Sequence, residues 1–200
     1  MTLQPHLLFA HGATLALGAE RRGLFLTGPS GAGKTTLSLA LAARGHDLLG
    51  DDIAAIEGDG GPSPTLRPVR RTPLTRPVAP RPFWDPEHQA PRAYRPLPRD
   101  APAPAALSVA VFLLGPGERT RATPMTPSLS DPAPLAALGQ CNTVASAWGT
   151  DPARWLFKIA RLAAVLGRVP CVALELGDLD ESVAVIEGLT LQTIRSDHPV

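Results

Sequence analysis

The segment from residue 28 to residue 36 constrains the fold of this 200-residue chain more than any other segment. It fits the pattern G-x-x-x-x-G-K-[ST], with an apolar run at 23–27 before it and an Ala- and Leu-rich stretch at 34–44 after it. This context predicts a buried strand, a glycine-rich loop and a helix, the arrangement in which backbone amides surround phosphate oxygens. The residues predicted to bind a nucleotide are Gly28, Pro29, Ser30, Gly31, Ala32, Gly33, Lys34, Thr35 and Thr36.

Two side chains of this loop are predicted to carry chemistry. The ammonium of Lys34 is expected to lie against the β- and γ-phosphates, and the hydroxyl of Thr35 is suited to the Mg²⁺ that bridges them. A glycine-rich turn with an incidental lysine is the weaker interpretation, because the strand and helix patterns are both in place. The sequence therefore predicts a nucleotide site that uses magnesium.

Two adjacent carboxylates, Asp51 and Asp52, follow Lys34 by 17 and 18 residues. In proteins with a loop of this kind, a carboxylate on a neighbouring strand usually holds Mg²⁺ through water. One acid would serve the metal while the other accepts the proton of an incoming hydroxyl. Adjacent residues on a strand point to opposite sides, so this division requires a local bend or turn. A solvated pair at a strand end is the alternative interpretation.

The rest of the pattern predicts an α/β fold, a mixed sheet flanked by helices, in one domain spanning 1–200. Strands are expected at 7–10, 13–17, 23–27, 53–56, 107–114 and 169–176, and helices at 34–44, 135–147, 152–166 and 179–189. The third of these helices has Asp151 as its N-cap, and its predicted core face is Trp155, Ile159, Leu162 and Leu166.

Residues 61–104 are rich in proline and arginine, which argues against a regular helix or a central strand. We expect a surface loop or linker there, with a substrate-facing loop as the alternative. Phe83 and Trp84 are expected to anchor part of this stretch on the core.

Composition narrows the class of protein further. Lys+Arg 19 against Asp+Glu 18 leaves a net charge of +1, which argues against nucleic acid as a main partner. No apolar stretch approaches the roughly 18–20 residues of a membrane span, and the N-terminus lacks the pattern of a secretion signal. Two cysteines cannot form a disulfide framework, so a cytoplasmic location is expected.

Three motifs taken in order resemble the catalytic domain of HPr kinase/phosphorylase, a bacterial serine protein kinase whose nucleotide site is similar to that of phosphoenolpyruvate carboxykinase. They are His11-Gly12, then the loop at 28–35, then Arg44-Gly45-His46 with the double aspartate at 51–52. The resemblance covers residues 9–57, and it implies ATP and Mg²⁺ as cofactors and a short, free-standing relative of the family. The family's downstream glutamate segment is not recognisable in this sequence, and we expect no counterpart of the family's separate N-terminal domain.

The resemblance also implies a role for individual residues. Lys34 would bind and polarise the transferred phosphate, and Thr35 would replace the family's usual serine as a metal ligand. Asp52 would be the base that deprotonates a substrate serine, with Asp51 supporting it or the metal. His11 would lie near the phosphates, against the alternative of a strand-end histidine with no task, while His46 is expected to be structural. Candidates for the family's late catalytic arginine are Arg67, Arg70, Arg71 and Arg76.

The function hypothesis is an ATP-dependent kinase that phosphorylates a hydroxyl, foremost a serine of a peptide or small protein. A small-metabolite kinase and a nucleotide-binding regulator with little catalysis are the alternatives. The sequence leaves the oligomeric state open, a homo-oligomer included.

Overall fold

The computed structural model describes residues 6–58, 63–69, 74–75, 83–85, 90–94, 102–130, 136, 138–139 and 152–196. The strands in these ranges are β1 (Leu7–His11), β2 (Ala13–Leu17), β3 (Arg22–Thr27), β4 (Asp47–Gly50), β5 (Ile53–Glu57), β6 (Thr65–Arg67), β7 (Leu74–Thr75), β8 (Phe83–Asp85), β9 (Ala90–Tyr94), β10 (Ala105–Pro116), β11 (Arg121–Met125) and β12 (Cys171–Leu176). The helices are α1 (Lys34–Ala43), α2 (Pro152–Leu166) and α3 (Leu179–Ser196). None of these helices, over the part of each that the structure describes, is long and apolar enough to cross a bilayer.

The main sheet is mixed, as the sequence predicts. Its strand order is β1-β5-β6-β10-β3-β2-β4, with β12 added beside β10 and β11 beside β12. Strand β10 runs parallel to both β3 and β12, whereas the other pairs in this sheet are antiparallel. The carboxyl ends of β3, β10 and β12 therefore meet at one edge, the place where open α/β sheets usually bind ligands.

Helices pack on both faces of this sheet around two apolar clusters. Helices α1 and α3 cover one face through residues that include Leu37, Leu41, Val183 and Ile186. Helix α2 covers the other face, where Ile159, Leu162 and Leu166 are buried as predicted. Burial of leucine and isoleucine side chains of this size contributes about 1.5–3 kcal/mol each. The two clusters hold the carboxyl edge of the sheet in place from both sides.

Helix α1 lies between two glycines, and its bounds agree with the prediction for 34–44. Gly33 precedes it with φ 96°, and Gly45 follows it with φ 94°, conformations that residues with a Cβ rarely adopt. Beyond it, Arg44 donates to Asp180 (2.9 Å) and Glu187 (3.2 Å) on α3. These contacts fix the distal end of α1 against α3.

His46 also has the structural role expected for it. Its Nδ1 atom accepts a hydrogen bond from the backbone N–H of Gly18 (3.1 Å), so its proton lies on Nε2, which contacts Oε1 of Glu187 (3.0 Å). The imidazole thus joins the β2–β3 turn to α3.

Several predictions need correction. Residues 61–104 are not only loop, because β6 lies inside the sheet between β5 and β10 and Leu66 is fully buried. Pro64 and Pro68 flank this strand rather than interrupt it, so its three residues keep their backbone donors. Helix α3 continues past residue 189 to Ser196, and β12 begins at Cys171 rather than at 169.

Strand β11 was not predicted. It is an exposed edge strand that contains Pro124, so it lacks the apolar alternation that identifies half-buried strands. Most of the expected helix at 135–147, the N-cap Asp151 and the side chains of Phe83, Trp84 and Trp155 lie outside the described residues.

Candidate active site

The loop between β3 and α1 lies at the carboxyl edge of the sheet. Gly28 has φ 145°, and a Cβ at this position would collide with the carbonyl oxygen of Leu113 at the end of β10. Gly31 and Gly33 have φ values of 80° and 96°, which turn the backbone into the first turn of α1. Within residues 28–43, no side chain caps the N-terminus of this helix. The partial positive charge at this end of the helix favours an anion beside the loop.

Lys34 folds its side chain back over this loop. Its ammonium donates to the carbonyl oxygens of Gly28 and Pro29, each at 2.8 Å, and only 7% of the residue is exposed. The two carbonyls compensate for burying the charge. The cation is thereby held against the glycine-rich turn.

Thr35, at the first turn of α1, reaches the first of the two acids. Its hydroxyl donates to the carboxylate of Asp51, at 3.2 Å from Oδ1 and 3.1 Å from Oδ2. Burial raises the pKa of Asp51 above its ordinary value, the Thr35 hydrogen bond opposes that rise, and the neighbouring charge of Asp52 adds to it. Lys34 lowers the same pKa through its positive charge. A buried carboxylate in this situation is stabilised by a further cation.

Asp51 and Asp52 lie in a bend, as their proposed division of tasks requires, because adjacent residues on a straight strand point to opposite sides. Strand β4 pairs with β2 and β5 pairs with β1, so the chain changes partner strands between residues 50 and 53. Asp52 has φ 68°, a left-handed conformation that is uncommon for any residue except glycine. The bend points the two carboxylates in different directions. Asp51 faces Thr35 and is buried, whereas the side chain of Asp52 is 44% exposed.

His11 contacts the second acid. Its Nε2 atom lies 3.1 Å from Oδ1 of Asp52, and its side chain is only 11% exposed. The next residue, Gly12, donates its backbone N–H to the carbonyl oxygen of Asp52 (3.3 Å). The junction between β1 and β2 therefore holds both the backbone and the carboxylate of Asp52.

Two residues that sequence analysis did not single out for a role position this junction. A Cβ on Gly12 would collide with the carbonyl oxygen of Leu26 and lie 2.5 Å from Cε2 of Phe25. The hydroxyl of Thr27, at the end of β3, donates to the carbonyl oxygen of His11 (2.9 Å). A glycine directly after an apolar strand and a polar side chain are the signals that could have indicated these contacts.

The donor set at this site fits magnesium. Thr35 and Asp51 offer a hydroxyl and a carboxylate, the oxygen ligands that a hard cation prefers, whereas Asp52, also predicted as a ligand, contacts His11 instead. Among the described residues there is no group of three or more His, Cys, Asp or Glu side chains that could hold a metal by themselves. Mg²⁺ is commonly bound by one or two carboxylates together with substrate phosphates, and it needs no such group.

The predicted site residues do not all come together. The structure links Thr35 with Asp51 and His11 with Asp52, and it holds Lys34 on the loop. Ser30 and Thr36 are exposed beside that loop. Of the arginine candidates, Arg67 is bound to Glu57 at the opposite end of β5 from the acids (Nε to Oε2, 2.8 Å), whereas Arg70, Arg71 and Arg76 lie outside the described residues.

Comparison with solved structures finds 26 chains of similar overall structure. The chain is similar to the HPr(Ser) kinase/phosphatase from Coxiella burnetii, with a TM-score of 0.48 and 19% sequence identity over 95% of this chain and 96% of that chain. No protein-family model and no curated protein matches the sequence. A similarity this distant assigns no activity to the chain, so the chemistry is inferred from the site residues themselves.

Proposed function

We propose that the chain is an ATP- and Mg²⁺-dependent phosphotransferase that phosphorylates a hydroxyl group, foremost a serine of a peptide or small protein. The observation that carries this proposal is the pairing of Thr35 with Asp51 beside an exposed Asp52. A protein that only binds phosphate has no need of a second, strained carboxylate next to the first. The ordered motifs that resemble HPr kinase/phosphorylase support serine as the acceptor.

Each residue has a defined task in this proposal. The loop amides and Lys34 bind the phosphates and stabilise the negative charge that develops during transfer. Thr35 and Asp51 hold Mg²⁺, which when bound neutralises charge on the phosphates. Asp52 accepts the proton of the acceptor hydroxyl, and His11 keeps its carboxylate oriented.

In the proposed transfer, the bonds that form and break involve only the acceptor hydroxyl, ATP and the carboxylate of Asp52. The acceptor oxygen gives its proton to the carboxylate of Asp52 and forms a new bond to the γ-phosphorus of ATP. The bond between that phosphorus and the β–γ bridging oxygen breaks, and ADP leaves with the bonding electrons on its terminal oxygen. The protonated Asp52 returns its proton to solvent, to which it is partly exposed.

Nucleotide binding is tested first. We expect Lys34→Met to weaken ATP binding by at least about a hundred-fold, since it removes a charge that contacts phosphate directly. Lys158→Met is the matched control, because Lys158 is the only other lysine of the chain and lies on α2. Titration of a fluorescent ATP analogue measures the affinity of each variant. Equal affinity in wild type and Lys34→Met would remove the loop from the proposed site.

Phosphotransfer is tested next with labelled ATP and a panel of hydroxyl acceptors that includes serine peptides and small metabolites. We expect Asp52→Asn to bind ATP as wild type does and to lose transfer by about 10²–10⁴-fold, the usual contribution of a general base. Asp47→Asn is the control, because Asp47 lies on the exposed end of β4 and pairs with Arg21.

The outcomes separate the alternatives. Full transfer by the Asp52→Asn variant would exclude Asp52 as the base. ATP binding without transfer to any acceptor would favour the nucleotide-binding regulator, and transfer to metabolites alone would favour the small-molecule kinase.

A further inference from the structure

One face of β1 leads directly from the exposed surface to Asp52. Leu8 and Ala10 point into the core beneath α2, so Leu7, Phe9 and His11 lie on the opposite face. Across the pair with β5, His11 is opposite Ile53, and Phe9 is opposite Ala55. We call Leu7, Phe9, His11 and Ile53 the outer face of β1 and β5.

Phe9 is the exposed aromatic side chain of this face. It is 39% exposed, whereas the other three members are half-buried. Opposite it on β5 is Ala55, whose side chain is a single methyl group. A ligand that covers the exposed part of this ring removes apolar surface from water, which favours binding.

The spacing along β1 matches that of an extended peptide. Residues two apart on a strand point to the same side and are separated by roughly 6.6–7 Å. Phe9 is two residues from His11, and His11 contacts the carboxylate of Asp52 at 3.1 Å. If an extended peptide runs along β1 with its acceptor hydroxyl at Asp52, the side chain two residues away lies near the ring of Phe9.

We infer that the outer face of β1 and β5 is an acceptor subsite, and that it takes an extended peptide with an apolar side chain two residues from the phosphorylated serine. This inference rests on the proposed function and adds the substrate class to it. A second copy of the chain fits poorly, because a stable protein interface buries about 1,200–2,000 Å² and this face presents one exposed large apolar side chain.

The test compares synthetic peptides that each contain one serine flanked by alanines. Leucine is placed two residues before or two residues after the serine, and glycine replaces it in the reference peptide, because the peptide can run in either direction along β1. For the wild-type chain we expect kcat/KM to be about ten-fold higher for one of the leucine peptides than for the glycine peptide, the discrimination that a small apolar contact provides.

Phe9→Ala should abolish this preference while leaving the affinity for ATP unchanged. Phe157→Ala is the matched control, since Phe157 is a more exposed phenylalanine on α2, the helix that covers the other face of the sheet. It should keep the ten-fold preference.

Several results would overturn the inference. Transfer to all peptides at one rate, a preference that survives in Phe9→Ala, or a loss of preference in Phe157→Ala would remove the subsite and leave the proposed function intact. A wild-type chain that forms a dimer disrupted by Phe9→Ala would assign this face to self-association instead. Absence of transfer to every peptide and small hydroxyl compound would overturn the proposed function, and this inference with it.

Discussion

The imidazole of His11 lies 3.1 Å from the carboxylate of Asp52, although the two residues come from opposite sides of the glycine-rich loop in sequence. Register explains the contact, because His11 is paired with Ile53 at the end of β1 and the adjacent Gly12 bonds to the backbone of Asp52. The contact restrains one oxygen of a carboxylate whose side chain is 44% exposed.

The first prediction concerns this contact. We expect His11→Ala to lower kcat for phosphotransfer by about 10²-fold, the cost of misplacing a reacting group by around 1 Å, with the affinity for ATP unchanged. His6→Ala is the control, since His6 is exposed and lies 4.0 Å from Glu57, away from the acids. Steady-state kinetics measures kcat, and direct nucleotide titration measures the affinity for ATP separately. A loss confined to ATP binding would instead place His11 at the phosphates.

The second prediction tests whether the hydroxyl of Thr35, rather than the volume of its side chain, serves the metal. Thr35→Ser keeps the hydroxyl that bonds Asp51, whereas Thr35→Val keeps the volume and removes it. We expect the valine variant to require at least about ten-fold more Mg²⁺ for half-maximal activity, and the serine variant to behave as wild type. Magnesium titration of the initial rate measures this requirement. Equal requirements in the two variants would show that Thr35 does not serve the metal.

The third prediction follows from the raised pKa of Asp51, whose main cause is burial. A raised pKa means that the folded chain binds the proton more tightly than the unfolded chain, so ionisation at neutral pH costs stability. That cost is relieved as the pH falls through the folded pKa. Without metal at pH 7, Asp51→Asn should therefore raise Tm by about 2–4 °C, the effect of about 1 kcal/mol in a chain of this size.

The gap in Tm between Asp51→Asn and wild type should shrink toward pH 4. Adding Mg²⁺ should raise the Tm of wild type more than that of the variant. Asp180→Asn, at a highly exposed position on α3, should leave Tm nearly unchanged. A lower Tm for Asp51→Asn in metal-free buffer at pH 7 would contradict the prediction.

The fourth prediction concerns Gly12. A Cβ there collides with the backbone of Leu26 and the ring of Phe25, so we expect Gly12→Ala to lower the free energy of unfolding by about 1–3 kcal/mol. Gly188→Ala on α3 meets no atom within 4 Å and should be neutral or stabilising by up to about 1 kcal/mol. Urea denaturation of both variants measures the difference. Equal stability of the two variants would show that the β1–β2 junction tolerates a side chain.

Local pattern predicted the elements that bury apolar side chains. Strands β1 to β3, helix α1 and strand β10 each have a continuous apolar or Ala- and Leu-rich run bounded by glycine or proline. The requirement for a bend at Asp51 and Asp52 also followed from strand geometry alone, and the left-handed φ of Asp52 meets it.

Local sequence pattern does not predict strand pairs or side-chain contacts between residues that are distant in sequence. Strand β6 has three residues between prolines and exists because β5 and β10 flank it on both sides. Arg44 and His46 find Glu187 on a helix far along the chain, and no local signal names that partner. The contact between His11 and Asp52 belongs to the same class, since it depends on the register of β1 with β5.

The backbone of Asp52 has a practical consequence for engineering. Glycine adopts φ 68° without strain, so a screen that rewards only heat resistance would favour glycine at this position. Such a library would yield more stable variants that lack the carboxylate proposed here to receive the acceptor's proton. Selection on this scaffold should therefore score turnover alongside melting temperature.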